Sequence, residues 1–434
     1  MEINRKYTRI PILLYALFIV SCLAKFAYSL IHTKSAVASD GINEYLVNYE
    51  GGFVRRGLAG EMLYWLYNAT GWNIAIIIKY ISVVAIFSLL MLMCRMMKGT
   101  GLSAMLITMP VTGLSLYFFH FNYAGCRKDP VLLLILIACI YIVREYITKE
   151  NRVKLVVLNA LLSIGILLHE AFVFFSIPII ACIISRKHSA NLFRMIIYAV
   201  MQLSPSIIVF LLCVIYKGDI TYSKVIWQSW HDYFIHYDAE AAVTPVTETV
   251  AKSVQSLAWK INRTLLFHIT VNFKIASWGI PSVLFWMLAV YMYYYMMMQQ
   301  NKLREIIIGG SNNNRIDSLL LSNVLIFNFL FMLPMFTILS CDFSRSFIFL
   351  SVSSLATYCI IPHDILRDTI INKLSSLSIV CCNHVNSGWR NYSWVSVMIF
   401  LSFGVPACTF IMYDALTSSV IGTPIGLLLE LFKY

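Results

Sequence analysis

Charged residues are scarce in this chain: Asp, Glu, Lys and Arg make up only 12% of its 434 residues. Soluble domains carry about 25% charged residues, so a soluble globular enzyme is excluded. Disorder is excluded as well, because 27 Phe, 25 Tyr and 9 Trp are too many for a chain that avoids burial. The 11 cysteines include no CxxC pair, and the sequence has no Gly-rich nucleotide loop. We therefore predict no metal site, no cofactor and no disulfide framework.

Long apolar runs take the place of charge, since 59% of the residues are hydrophobic. An apolar run of about 18 residues can cross a bilayer. These runs predict an all-α, polytopic membrane helix bundle of about eleven or twelve transmembrane helices, forming one integral membrane domain over residues 1–434. The predicted spans lie near 10–31, 73–94, 102–120, 130–148, 195–216, 281–299, 318–340, 346–361 and 393–413. Residues 416–432 form either a span or an interfacial helix.

The apolar stretch from Leu155 to Ser185 has an unusual length. Thirty residues of helix measure about 45 Å, whereas the hydrocarbon core is about 30 Å thick, so the stretch is too long for one span and too short for two. Basic residues flank it on both sides, and the positive-inside rule assigns both flanks to the cytoplasm. The stretch therefore predicts two short helices with a turn at or near His169–Glu170.

The distribution of Lys and Arg predicts the orientation of the chain. We attribute the net charge of +12 to cytoplasmic loops, among them residues 363–390, and to anionic lipid rather than to nucleic acid. The basic start and the long first span indicate an uncleaved signal anchor with its N-terminus in the cytoplasm. Residues 217–280 then form an extended periplasmic loop with interfacial helices.

Four polar motifs interrupt the apolar sequence, and the predicted topology puts all four on the non-cytoplasmic side. The first, at residues 50–61, sets Arg55 and Arg56 among four glycines. It suits an anion site, because Arg offers phosphate oxygens a planar fork of donors. The alternative is an interfacial helix whose arginines reach lipid headgroups.

The second motif, Arg127-Lys128-Asp129-Pro130, opens a predicted span. Two cations at a helix N-terminus oppose the helix dipole, so a bound anion there would be stabilised by the cations and by the free N–H groups. The alternative is structural: Asp129 caps the helix and the basic pair reaches the headgroups.

The third motif is His169-Glu170, an ionisable pair inside an apolar stretch, which favours a functional role. Either side chain can act as a general base on a hydroxyl. The alternative is a buried Glu170 paired with Arg55 or Arg127.

The fourth motif contains Asp342 and Arg345, which either orient sugar hydroxyls or a phosphate, or form a local salt bridge at spacing i,i+3. The long outer loop also has an aromatic-rich segment at residues 227–238. This segment suits either stacking against sugar rings or an aromatic belt at the membrane interface.

The order of these motifs (GFVRRG at 52–57, RKD at 127–129, HE at 169–170 and DxxR at 342–345) resembles bacterial cell-surface polysaccharide polymerases. Those enzymes join O-antigen, capsule or exopolysaccharide repeat units. The resemblance implies a glycosyltransferase at the periplasmic face of the bacterial inner membrane. Its implied substrate is an oligosaccharide linked to undecaprenyl diphosphate, with a flippase and a chain-length regulator as possible partners.

The resemblance also implies roles for the motif residues. Arg55, Arg56, Arg127 and Lys128 would hold the diphosphate, in a substrate-binding group that includes Asp129. Glu170 or His169 would take a proton from the acceptor hydroxyl. Asp342 and Arg345 would orient the substrate.

Two other functions stay open. A polyprenyl-phosphate-sugar-dependent glycosyltransferase would use an acidic residue of the first outer loop, which here holds Asp40, Glu44 and Glu50. A lipid-glycan transporter would place charges where both sides of the membrane can reach them, often within an internal repeat. The polar motifs of this chain gather on one predicted face, and no repeat is evident.

Overall fold

The computed structural model describes residues 9–32, 40–97, 126–238, 317–336, 343–388, 419 and 421–431, with seven single positions between 284 and 298. Regular structure in these residues is helical throughout, without strands. The all-α prediction is therefore confirmed. The predicted spans 102–120 and 393–413, and most of 281–299, lie outside the described residues.

The described residues form fourteen α-helices of five or more residues. The first nine are α1 (Arg9–His32), α2 (Gly57–Thr70), α3 (Ile74–Met97), α4 (Asp129–Lys149), α5 (Arg152–Leu168), α6 (Phe172–Ile184), α7 (Leu192–Ile215), α8 (Ile220–Ser229) and α9 (His231–Tyr237). The others are α10 (Ser318–Pro334), α11 (Phe343–Ile360), α12 (His363–Arg367), α13 (Ser375–Gly388) and α14 (Gly422–Leu431). Short helical turns lie at Asp40–Asn43, Arg186–His188 and Ile370–Leu374.

Several of these helices coincide with predicted spans. Within the described part of the chain, Ile74–Met96, α4 and α7 are long and apolar enough to cross a membrane, and α6, α10 and Arg345–Ile360 are shorter apolar helices. The prediction of a helical membrane bundle is confirmed, whereas the number of spans stays a prediction. The segment 363–390, predicted as a loop, is mostly helical, because it contains α12, a 3-10 turn and α13.

The chain forms two compact units. The first unit comprises Phe26–Leu89 and Phe121–Lys260, and the second comprises Met1–Lys25, Leu90–His120 and Ile261–Tyr434. Three of the four polar motifs belong to the first unit, and the Asp342–Arg345 motif belongs to the second.

In the first unit, α5 packs along both α4 and α7. A stripe of buried apolar side chains at helical spacing explains the contact: Leu132, Leu136, Ile140 and Val143 on α4 and Leu158, Leu162 and Ile166 on α5. Hydrogen bonds between helices add specificity, because Asn159 Nδ2 donates to the Gln202 carbonyl at 3.0 Å and Ser206 Oγ donates to Asn159 Oδ1 at 2.8 Å. Such polar pairs are a common means of joining helices inside membranes.

The stretch 155–185 forms the helical hairpin that its length and flanking charges predict. α5 ends at Leu168 and α6 begins at Phe172, so the turn contains His169 and Glu170. The extended backbone of His169, with φ −164°, ends α5. Gly165 permits the close return of the chain, because a Cβ atom at this position would lie 2.6 Å from the Phe172 ring. The predicted turn is confirmed.

The described start of the predicted outer loop, residues 217–238, packs some of its aromatic side chains into the core of the first unit. Trp230 is 0% exposed, and its Nε1 donates to the Leu46 carbonyl at 2.8 Å. Tyr233 is also buried, and its hydroxyl accepts from the Ala75 backbone N–H at 3.1 Å. These rings therefore form neither an open surface for sugars nor an interfacial belt, and both expectations are wrong for them.

In the second unit, α10 packs against α11 and α13. Asn328 Nδ2 donates to the hydroxyls of Ser353 at 3.3 Å and Ser354 at 3.0 Å. Asp317 precedes α10, where its carboxylate accepts from the Leu320 N–H at 3.0 Å and pairs with Arg367 at 2.8 Å. The side chains at this helix-helix contact are therefore partly polar.

Candidate anion site around Glu170

Glu170 is the centre of an ion cluster in the first unit. Arg56 reaches both carboxylate oxygens, with Nη2 at 2.6 Å from Oε1 and Nε at 2.8 Å from Oε2. Arg55 adds a third contact, from Nη1 to Oε1 at 3.1 Å. This fork between Arg56 and the carboxylate is the geometry of strong, charge-assisted hydrogen bonds. The structure therefore contains the Glu170–Arg55 pair that the sequence offers as an alternative, with Arg56 as a second partner.

The local backbone explains how two adjacent arginines reach one carboxylate. Arg56 precedes α2 in the left-handed region at φ 67°, a conformation that costs a non-glycine residue about 1–2 kcal/mol. The Arg55 N–H donates to the Tyr216 carbonyl at 3.0 Å, which attaches this segment to the end of α7. Gly57 follows, and a Cβ atom there would lie 2.2 Å from the Tyr49 ring. Close packing therefore fixes the turn that aims both guanidinium groups at Glu170.

Lys128 holds backbone groups of this site together. Its ammonium donates to the Arg56 carbonyl at 3.0 Å and to the Leu168 carbonyl at 3.5 Å, and it lies 5.4 Å from the centre of the Tyr45 ring. Leu168 is the last residue of α5, where helix carbonyls lack intrahelical donors. Lys128 is 1% exposed. The structure thus joins Lys128 to the arginine segment and to the hairpin turn.

The other residues of the second motif flank Lys128. Asp129 is the first residue of α4 and is fully buried, while Lys128 occupies the cap position that the structural alternative assigned to Asp129. The Arg127 carbonyl accepts from the Tyr45 hydroxyl at 3.4 Å. A role for Arg127 and Asp129 in substrate binding stays a prediction.

His169 lies beside the ion cluster and is 5% exposed. Its Nδ1 accepts from the Ala171 backbone N–H at 3.1 Å and lies 3.7 Å from Glu170 Oε2. Because Nδ1 accepts a hydrogen bond, the proton of the neutral ring is assigned to Nε2. His169 is therefore oriented as a donor through Nε2 in this arrangement.

The electrostatics of the cluster favour a charged Glu170. Burial raises the pKa of this carboxyl group, but the positive charges of Arg56 and Arg55 outweigh burial and hold the pKa well below its usual value. Two guanidinium groups thus face this one carboxylate. The three side chains keep 15–17% of their surface exposed, so the cluster is not fully enclosed by the described residues. The same N–H groups are chemically suited to bind a phosphate in place of the carboxylate.

The structure describes only part of the fourth motif. Asp342 lies outside the described residues, and Arg345 belongs to the second unit, on α11. Arg345 is 8% exposed, with its guanidinium 5.8 Å from the centre of the Phe349 ring. That these two residues orient a substrate stays a prediction. Among the residues that the structure describes, no group of three His, Cys, Asp or Glu is placed to hold a metal ion.

Sequence reasoning missed the aromatic residues that support the site. Tyr45 contacts Lys128, Tyr49 packs on Gly57, and Tyr216 accepts from the Arg55 backbone. Tyr45 and Tyr49 lie close to the arginine motif in the sequence, and this is the signal that could have identified them.

Comparisons with known proteins identify the chain at the level of family. Residues 13–256 match the model of a family described as "Uncharacterised membrane protein Rv1490". No curated protein and no solved structure matches the chain. The matched range contains the whole Glu170 cluster, and it supports the membrane class without specifying a polymerase. Because this range is more than half of the sequence, the chain belongs to the Rv1490 family of uncharacterised membrane proteins.

Proposed function

We propose that this membrane protein is a glycosyltransferase that polymerises lipid-linked oligosaccharide repeat units for a cell-surface polysaccharide such as O-antigen or capsule. One observation carries the proposal: Arg55 and Arg56 converge on Glu170, 114 positions further along the chain from Arg56, in a cluster whose side chains keep 15–17% of their surface exposed. Arginine forks of this kind bind phosphate oxygens as well as carboxylates. The substrate feature that they recognise is the diphosphate of an undecaprenyl-diphosphate-linked glycan.

The surface of α2 supports a lipid-linked rather than a soluble substrate. α2 begins directly after Arg56 and buries Gly57, Ala59, Gly60 and Leu63. Its opposite side exposes Met62 by 62% and Trp65 by 65%, and Trp72, just before α3, is 60% exposed. Exposed Trp next to a candidate span is typical of the membrane interface. A substrate with its diphosphate at headgroup level would then meet the arginines from the bilayer.

The proposed reaction requires no cofactor, because the diphosphate is a good leaving group. A hydroxyl oxygen of the acceptor glycan forms a bond to the anomeric carbon of the donor glycan. The bond from that carbon to the diphosphate breaks, and the diphosphate leaves with the electron pair. Arg55 and Arg56 stabilise the negative charge on the leaving group, a role that commonly provides a large part of catalysis.

The acceptor hydroxyl also loses a proton, and the site offers Glu170 and His169 as bases. The lone pair on His169 Nδ1 is engaged by the Ala171 N–H. Glu170 becomes available when a phosphate replaces it on the arginines, so Glu170 is the better candidate. The proposal further places the protein in the bacterial inner membrane, with the N-terminus in the cytoplasm and the Glu170 cluster on the periplasmic side.

The test is a glycan assay in cells or vesicles that contain the flippase, the chain-length regulator and the lipid-linked repeat unit. Wild-type protein should give a ladder of long glycans. Arg55→Ala should leave single repeats on the lipid carrier, while Arg144→Ala, a change of an exposed arginine on α4, should keep the ladder. Long glycans from Arg55→Ala would contradict the role of this residue, and a product extended by one sugar would favour a single-sugar transferase.

A further inference from the structure

We propose that Glu170 determines the anion specificity of Arg55 and Arg56, admitting a pyrophosphate and rejecting the single phosphate of ordinary phospholipids. This inference rests on the proposed function only in taking the two arginines as the anion site. It explains why Glu170 occupies the two arginines that would bind the phosphate.

Glu170 and an incoming phosphate compete for the same donors. Arg56 gives its Nε and Nη2 to the two carboxylate oxygens, and Arg55 gives its Nη1 to one of them. A phosphate bound by this fork would use the same N–H groups, since carboxylate and phosphate match the guanidinium in the same way. Binding is therefore an exchange of anions, in which the ligand displaces a carboxylate that the chain itself supplies.

The exchange penalises a ligand with one negative charge. Glu170 belongs to the same chain as the arginines, so its effective concentration at the fork is high. A phosphodiester headgroup brings one charge and replaces one charge, so it gains little from the exchange. A pyrophosphate diester brings two charges and a second set of oxygens, which can reach Arg55 and Arg56 together.

The formal charges of the cluster agree with this selection. The exchange takes Glu170 off the fork, and the guanidinium groups of Arg55 and Arg56 carry one positive charge each. A pyrophosphate diester carries two negative charges and balances both guanidinium groups, whereas a phosphodiester carries one negative charge and balances only one of them.

This specificity matters because of the surroundings. The exposed Trp65 and Trp72 indicate that the site lies near lipid headgroups, where phosphodiesters greatly outnumber lipid-linked pyrophosphates. Two arginines without a counter-ion would be occupied by abundant headgroups. Specificity of this kind comes from a built-in penalty against the wrong ligand rather than from extra contacts to the right one.

The experiment measures binding of P1,P2-dimethyl pyrophosphate, a pyrophosphate diester with two negative charges, and of a short-chain phosphatidylglycerol to the full chain in neutral nanodiscs. Wild-type protein should prefer pyrophosphate. Glu170→Gln retains the shape and removes the charge, so phosphatidylglycerol should bind about tenfold or more tightly and the preference should shrink. Glu61→Gln is the matched control, since Glu61 accepts from the Tyr49 N–H at 2.8 Å, a bond that an amide oxygen can replace. An unchanged preference in Glu170→Gln would overturn the inference.

A thermal measurement covers the case in which Glu170→Gln folds poorly. Pyrophosphate should raise the unfolding temperature of Glu170→Gln more than that of wild type, because it supplies the missing counter-ion. Equal rises would overturn the inference. Selective binding without any glycan transfer would remove the proposed function and leave the role of Glu170 intact, whereas no binding of either probe to either protein would remove both.

Discussion

Lys128 and Arg56 lie 72 positions apart, yet the Lys128 ammonium donates to the Arg56 carbonyl oxygen at 3.0 Å. The same ammonium reaches the carbonyl that ends α5, so one buried cation joins the segment before α2 to the Glu170 turn. Arg56 has a left-handed backbone at φ 67°, and this hydrogen bond holds its carbonyl in place. The geometry of the anion site thus depends on a side chain that points at the backbone.

The first prediction concerns Lys128→Met. The substitution removes a buried donor from the Arg56 and Leu168 carbonyls and should lower the free energy of unfolding by about 1–3 kcal/mol for each carbonyl left without a partner. It should also weaken pyrophosphate binding, because Arg56 loses its fixed orientation. Denaturant unfolding and pyrophosphate titration measure the two effects. Lys224→Met, at an exposed position of α8, is the control. Unchanged stability with lost binding would indicate that Lys128 contacts the ligand instead.

The second prediction concerns the hairpin turn. Gly165→Ala puts a Cβ atom 2.6 Å from the Phe172 ring, so the turn between α5 and α6 must open or the ring must move. Overpacking of this kind costs about 1–3 kcal/mol. Phe172→Leu provides space, and the double variant should recover part of the stability that Gly165→Ala loses. A double-mutant cycle with strictly additive losses would show that the ring and the glycine do not interact.

The third prediction is a dependence on pH. Arg56 and Arg55 hold the pKa of Glu170 well below its usual value, despite the opposite effect of burial. A lowered pKa in the folded state contributes stability that is fully present above the unfolded value of about 4.3 and is lost as the pH falls through the folded value. The unfolding temperature of wild type should therefore exceed that of Glu170→Gln by a constant amount at neutral pH, and the difference should shrink in acid. A difference that already changes between neutral and alkaline pH would contradict this assignment.

The fourth prediction concerns the contact between α2 and lipid. Trp65 is 65% exposed, and we expect it in the membrane interface, whereas Trp230 is fully buried in protein. Brominated lipids should quench the fluorescence of the wild-type protein, and Trp65→Phe should remove part of this quenching. Trp230→Phe should leave the quenched part of the emission unchanged. Quenching of Trp65 by aqueous iodide but not by brominated lipid would place α2 in water.

The sequence allowed the hairpin to be predicted, because the length of the 155–185 stretch and the basic residues on both sides leave one arrangement. It also brought Glu170 and Arg55 together as an alternative, since a carboxylate in an apolar stretch requires a cation. The first prediction depends on the length of a helix compared with the thickness of the bilayer. The second depends on the high free-energy cost of burying an unpaired charge.

Other features could not be predicted, because they depend on distant contacts. No residue close to Lys128 in the sequence indicates that its ammonium binds the Arg56 carbonyl. Trp230 lies in an aromatic segment that fits a sugar platform, an interfacial belt or a core equally well, and only its contact with the Leu46 carbonyl decides the matter. The structural alternative for the second motif makes Asp129 the helix cap, but the helix begins at that residue. Caps shift by one residue without any change in hydrophobic pattern.

The burial of Trp230 restricts how the first unit can be shortened. Trp230 is joined to Leu46, and Asn48 donates to the hydroxyl of Ser229 at 2.8 Å, so the helices after α7 are attached to the segment that leads into the arginines. A fragment that ends at Tyr216 would lack Ser229 and Trp230. It would leave a cavity where the Trp230 indole lies, and the Leu46 carbonyl and the Asn48 side chain would lose these hydrogen-bond partners. A shortened piece in which the anion site keeps its form must therefore include Trp230.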